Sequence, residues 1–315
     1  MMNTLNRRLL LQSAVLGAGM SMLPTGISKQ AIAYPRPEED AISLALWSLI
    51  NSFRTGSWKL TEIHRICKEE FEVDGVEYVT NFFESPVAGY LNQLNRNARE
   101  YGVKNVLIMV DNEGDMVAKD KQERMQAAIN HRKWVEIAAY LGCHAIRCNA
   151  RGGGNTQAED PDAIDRAAEA FGALLEYAEE FKINVIIENH GGLSSDPEWL
   201  PKLAEKIGSD HFGILPDYGN YHDSEKYTVY DAVRMAMPYA KGVSVKARWQ
   251  PDGTHPPYDL EKLLNISKDG GYSGFWGIES SMADVDSKNP EDIKQAEWQA
   301  VKYTRDVIRK VILKS

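Results

Sequence analysis

The sequence predicts a single-domain (β/α)8 barrel, and three observations predict it. Eight short apolar runs alternate with longer amphipathic segments from Ile42 onward. Three of those runs end in an acid: Glu188 after Asn184-Val-Ile-Ile, Asp217 after Phe212-Gly-Ile-Leu-Pro, and Glu279 after Gly274-Phe-Trp-Gly-Ile. The 282 residues left after the first 33 match the length of one such barrel. An ionised side chain is seldom buried unpaired, so an acid there needs a cation or a shared proton. In a closed parallel sheet, acids at the carboxyl ends of strands meet in one mouth.

The elements follow in order. Strands are expected at Ser43–Leu49, Gly75–Val79, Val103–Val110 and Ala145–Asn149, then at Asn184–Glu188, Phe212–Asp217, Gly242–Lys246 and Gly274–Glu279. Helical patterns cover Asp120–Leu141, Pro161–Phe181, Asp196–Ile207, Tyr230–Ala240, Asp259–Asp269 and Pro290–Ile312. Asp160-Pro161, Asp196-Pro197 and Asn289-Pro290 each set a capping residue before a proline that a first helical turn accepts. A doubly wound open sheet is the competing architecture. It needs a phosphate-binding glycine loop early in the chain, and Gly152-Gly153-Gly154 opens no helix with that spacing.

The first 33 residues stand apart from the barrel at 34–315. Arg7-Arg8 runs into the apolar stretch Leu9 to Leu23, and Ala31-Ile32-Ala33 has the small-x-small form of a cleavage site. Together they read as a twin-arginine export signal cut after Ala33, which implies a periplasmic protein. No Cys follows the stretch to carry a lipid anchor, and no later run is long and apolar enough for a membrane span. Losing Arg7, Arg8 and Lys29 moves the net charge from −9 to −12, which argues against nucleic acid as a partner. Cys67, Cys143 and Cys148 are too few and too scattered for a disulfide framework or a zinc knuckle.

Side chains two apart on a strand share the barrel interior. This pairs Glu188 with His190, Arg147 with Asn149, and Ser244 with Lys246. The blocks Ile187-Glu188-Asn189-His190-Gly191, Pro216-Asp217-Tyr218-Gly219-Asn220 and Gly271-to-Glu279 resemble the xylose isomerase-like barrel superfamily of sugar isomerases and epimerases. The likeness spans roughly 42 to 312. It implies a divalent metal, Mn2+, Mg2+ or Zn2+, held by Glu188, Asp217 and Glu279. On the seventh strand Ser244 stands where that superfamily usually carries a metal-binding His. His190 or His222 can take over as fourth ligand, the ion can be a hard, oxygen-bound one, or Lys246 can supply the positive charge instead.

The expected reaction is proton transfer beside a sugar carbonyl, with Glu188 and Glu279 on opposite faces of the substrate. A metal or Lys246 stabilises the enediolate that forms. His190, Arg147, Asn149 and His222 are candidates for binding the substrate, a small sugar or glycoside. His190 can equally orient Glu188, Arg147 and Asn149 can equally fill the barrel interior, and His222 can be a plain loop residue. Trp47, Trp249 and Trp276 can stack on a sugar ring or pack in core and rim. Three other functions compete: cleavage of a keto-glycoside through the same enolate, an endonuclease, and a non-catalytic sugar binder. Endonuclease chemistry needs a basic track and more metal-binding histidines than seven His in the whole chain provide. A binder of the usual kind closes two domains on its ligand, and no second domain is visible. A homo-oligomer is open.

Overall fold

A computed structural model describes residues 39–313 apart from 153, 155, 256, 284 and 286. The proposed export signal therefore lies outside the described residues. Eight strands form one parallel sheet: β1 (Ala41–Ala45), β2 (Gly75–Val79), β3 (Lys104–Met109), β4 (Ala145–Cys148), β5 (Asn184–Glu188), β6 (Phe212–Leu215), β7 (Val243–Trp249) and β8 (Phe275–Met282). Their spatial order is β6-β5-β4-β3-β2-β1-β8-β7. Single parallel bridges, Ile214 to Ala240 and Asp217 to Ser244, join β6 to β7 and close the ring. The architecture is a (β/α)8 barrel of one domain, as the alternation of runs predicts.

Nine helices accompany the described strands: α1 (Ile50–Arg54), α2 (Ile63–Arg65), α3 (Ala88–Tyr101), α4 (Lys121–Leu141), α5 (Ala163–Glu179), α6 (Trp199–Ile207), α7 (Val229–Ala236), α8 (Leu260–Asp269) and α9 (Pro290–Ile308). Parallel strands need such crossovers, and helices on the outside of the ring cover its apolar outer face. Outward residues such as Leu44, Ile108, Ile146, Ile187 and Ile278 are fully buried beneath them. Among the described residues no helix is long and apolar enough to cross a membrane.

Three departures from the sequence reading have physical causes. The first strand ends at Ala45, and Leu46–Leu49 forms a 3-10 turn. Ser48 fixes that turn to β8, donating from Oγ to the Ile278 carbonyl at 3.0 Å and accepting from the Ser280 amide at 2.9 Å. Helix α3 was not expected because only Leu91 and Leu94 of its fourteen residues are buried, too thin a stripe to read. Of the three proline-linked caps, Asn289 accepts from the Glu291 amide at 3.1 Å at the start of α9. Asp196 accepts from the Glu198 amide one residue ahead of α6, and the Asp160 carboxylate pairs with Arg166.

Candidate active site

The seam between β6 and β7 builds the site. Asp217 follows Pro216, which has no amide to donate, and its backbone bridges Ser244. Asn189 locks the turn: its Oδ1 accepts from the Asp217 amide at 2.7 Å, and its Nδ2 donates to the Asp217 carbonyl at 3.0 Å. On the far side, Lys246 of β7 stands directly opposite Glu279 of β8 in the strand register. Glu188 closes β5. One carboxylate oxygen each from Glu188, Asp217 and Glu279 lies within 4.8 Å of the other two, so the three acids surround one small space.

Two cations face these acids. The Lys246 Nζ sits 2.6 Å from Glu279 Oε1 and 3.3 Å from Asp217 Oδ2. The Arg147 Nε lies 2.9 Å from Glu188 Oε2, an ion pair whose atoms are not aligned as a hydrogen bond. Burial outweighs these partners for Glu188 and Asp217 and pushes both carboxyls well above their usual range. Burial alone would lower Lys246, but Asp217 and Glu279 override it and hold the ammonium charged. Arg147 likewise stays charged against burial through Glu188 and Asp111.

Ser244 takes a defined place in this arrangement. Its Oγ lies 2.7 Å from Asp217 Oδ2 and 3.4 Å from Glu279 Oε2, so its single proton orders one acid against the other. No histidine joins the three-acid group among the described residues. His190 is half-buried just past β5, where burial, then Arg147 and Lys246, depress its pKa. His222 is exposed. Both line a cleft beside the cluster. Asn149 donates from Nδ2 to Asp111 Oδ1 at 2.6 Å and accepts from Arg147 at 3.1 Å. The indole N–H of Trp249 donates to Thr304 and that of Trp276 to Asp40, so both rings pack in the wall. Trp47 packs edge-on against Phe82.

Three residues escaped the sequence reading. Asp111 follows the β3 apolar run and receives Arg147 Nη1 at 3.0 Å, so the rule that found the other strand-end acids would have found it too. Asn220 donates to Glu188 Oε1 at 2.8 Å and takes Lys246 at 3.3 Å on its Oδ1. It stands at the end of the Pro216-to-Asn220 block, where the sequence alone assigns it no role. Glu77 is an acid in the middle of β2, 2% exposed, and its signal was its presence inside an apolar strand. Its Oε1 accepts from Ser43 at 2.6 Å, its Oε2 has no partner, and burial raises its pKa to about 7. Gly277 makes room for it, since a Cβ there would approach Glu77 Cδ to 2.9 Å.

The fold has counterparts. Solved structures of the same fold include D-psicose 3-epimerase (TM-score 0.65, 14% identity, 86% of this chain and 99% of that one). L-ribulose 3-epimerase is similar (0.64, 16%, 87% and 95%), as is 3-keto-D-glucoside 4-epimerase from E. coli (0.62, 15%, 79% and 94%). At such identities the likeness shows the fold alone. No curated protein matches the sequence. The family model of the xylose isomerase-like TIM barrel, however, matches residues 68–302, and the chain belongs to that family.

Proposed function

We propose that the protein is a sugar epimerase or isomerase that moves a proton at the carbon next to a carbonyl, with Glu188 and Glu279 as the exchanging pair. The observation that carries this reading is the convergence of Glu188, Asp217 and Glu279 around one space small enough for a single reacting carbon or ion. One carboxylate takes the C–H proton, and the bonding pair moves to the carbonyl oxygen to give an enediolate. The other carboxylic acid returns a proton to the opposite face, which inverts the centre. Lys246 would hold positive charge toward the developing oxyanion. Arg147 and Asn220 hold the two oxygens of Glu188, fixing the direction in which it presents its lone pairs.

The donor set also fits a divalent cation. Five acids point into this part of the barrel, Glu77, Asp111, Glu188, Asp217 and Glu279, against Arg147 and Lys246, so negative charge is left over. All-oxygen ligands with a serine hydroxyl suit Mg2+ or Mn2+ better than Zn2+. Glu188, Asp217 and Glu279 would hold the ion, which when bound would polarise the substrate carbonyl. Export by the twin-arginine route belongs to the same reading. Cell fractionation of the wild type against an R7K/R8K variant tests it, with periplasmic protein expected only from the wild type.

The chemistry is tested by incubating the protein with a panel of free and glycosylated ketoses in D2O with Mn2+ and following deuterium at the carbon next to the carbonyl. Wild-type protein should exchange at least one of them, and Glu279→Gln should slow that exchange by about 10²–10⁴-fold. No exchange on any ketose, or undiminished exchange by Glu279→Gln, would overturn the assignment.

A further inference from the structure

A cleft of about 1060 Å³ opens beside the carboxylate cluster between the loops that follow β4, β5 and β6. That is at the upper end for a small-molecule site and far more than one monosaccharide fills. The cleft and the cluster share walls. Asn220 lines the cleft, donates to Glu188 and accepts from Lys246, and His190, two residues after Glu188, lines it too. A molecule whose reacting ring sits at the three acids therefore has room for a second unit one side chain away.

The lining indicates what that unit is. The lysines of the cleft wall are already paired with an acid: Glu198 takes Lys202 at 2.6 Å, the Tyr227 hydroxyl at 2.7 Å, and Lys226. Asp196 is occupied by the amides of Glu198 and Gln157. Such a surface has little net charge to offer an ionic ligand but many hydrogen-bonding groups. The walls are also tied in place, because Glu198 links the loop after β5 to Tyr227 and Lys226 in the loop after β6, and Ser195 Oγ donates to the Asn220 carbonyl at 3.2 Å. The cleft is preformed.

From this we infer that the physiological substrate is a glycoside, and that the cleft is a subsite for a neutral sugar ring attached to the reacting one. The inference rests on the proton-transfer reading only for which ring lies at the acids. Its test separates the two. Binding of D-fructose and of the glycosyl-ketoses maltulose, cellobiulose and lactulose is measured by calorimetry on Glu279→Gln protein with Mn2+, and deuterium exchange is measured on the wild type. At least one disaccharide should bind at least tenfold tighter than fructose. Ala158→Trp, which fills the cleft from an exposed position, should bring that ratio toward one. A ratio near one in the parent protein, or one unchanged by Ala158→Trp, overturns the subsite whatever the exchange shows. A large ratio lost in Ala158→Trp supports the subsite even if no sugar exchanges, and in that case the proton-transfer chemistry is what fails.

Discussion

Arg147→Met isolates the electrostatic frame of the site. The guanidinium and its Glu188 partner are each 1% exposed at the side chain, and the same guanidinium reaches Asp111 at 3.0 Å. Methionine keeps the bulk and removes the charge, leaving Glu188 buried with only the Asn220 amide and a more distant Lys246. Breaking a buried pair from one side costs about 3–5 kcal/mol, most of it the stranded charge and not the lost attraction. Removing the second charge should therefore recover much of the loss. Urea denaturation at pH 7 is expected to show Arg147→Met destabilised by about 3–5 kcal/mol and the double variant with Glu188→Gln by about half that or less. The pH dependence has a sign. Without Arg147 the folded-state pKa of Glu188 rises further, so its protonated form contributes stability below the unfolded carboxyl pKa, and that contribution disappears as pH rises through the folded value. The deficit should then be smaller at pH 5 than at pH 8. A single variant within about 1 kcal/mol of wild type, or a double variant as unstable as the sum of both single changes, would refute the stranded-charge account.

Three further outcomes follow from the same interior. Glu77→Gln should stabilise the protein at pH 8 by up to about 3 kcal/mol, the equivalent of moving a carboxyl from 4.5 to about 7. Because that pKa is raised on folding, the wild type loses stability as pH rises from 4.5 through 7, and melting curves of the two proteins should converge toward pH 4.5. Gly277→Ala drives a methyl group against the Glu77 carboxylate and should cost about 1–3 kcal/mol in urea titrations, relieved when Glu77→Ala is combined with it. Mn2+ at a hundredfold excess over its dissociation constant should stabilise the wild type by about 2.7 kcal/mol, and Asp217→Asn should abolish most of that shift in melting temperature.

The strand-helix alternation was legible because a closed parallel sheet buries both faces of every strand, so each run is mostly apolar even where Glu77, Arg147 or Lys246 interrupts it. The acids at 188, 217 and 279 were legible for the complementary reason: an ionised side chain at the end of such a run needs a cation or a shared proton, with a structural ion pair at the rim as the competing reading. What could not be read depends on partners far apart in the chain. Ser48 ends the first strand by bonding to Ile278 and Ser280, more than 200 positions away. The sequence leaves Arg147 open between a substrate contact and a hydrogen-bonded interior residue; its contacts with Glu188 and Asp111 are of the second kind, but a period-two pattern cannot say which neighbouring strand a side chain leans toward. The glycines of the last block show the same limit. Gly271 and Gly274 have φ values of 85° and 131°, a local requirement, whereas Gly277 is small because of Glu77 two strands away.

Serine at 244 is best understood through the residue two places on. With Lys246 between Asp217 and Glu279, two of the three acids already have a fixed cation, and the Ser244 hydroxyl adds a donor without adding charge. Glu188 has its own cation in Arg147, on the opposite side of the cluster. The acids are thus held in two separately compensated groups facing one space, instead of in one set that only an ion could keep together. Such a frame can persist without a bound metal while keeping an excess of negative charge to attract one, because Glu77 and Asp111 add two more acids and no further cation. The same division fits the proton exchange we propose. In that reading Glu188 would stay anchored by a guanidinium that cannot give up its proton, and Glu279 by an ammonium that would follow the charge as it moves to the substrate oxygen.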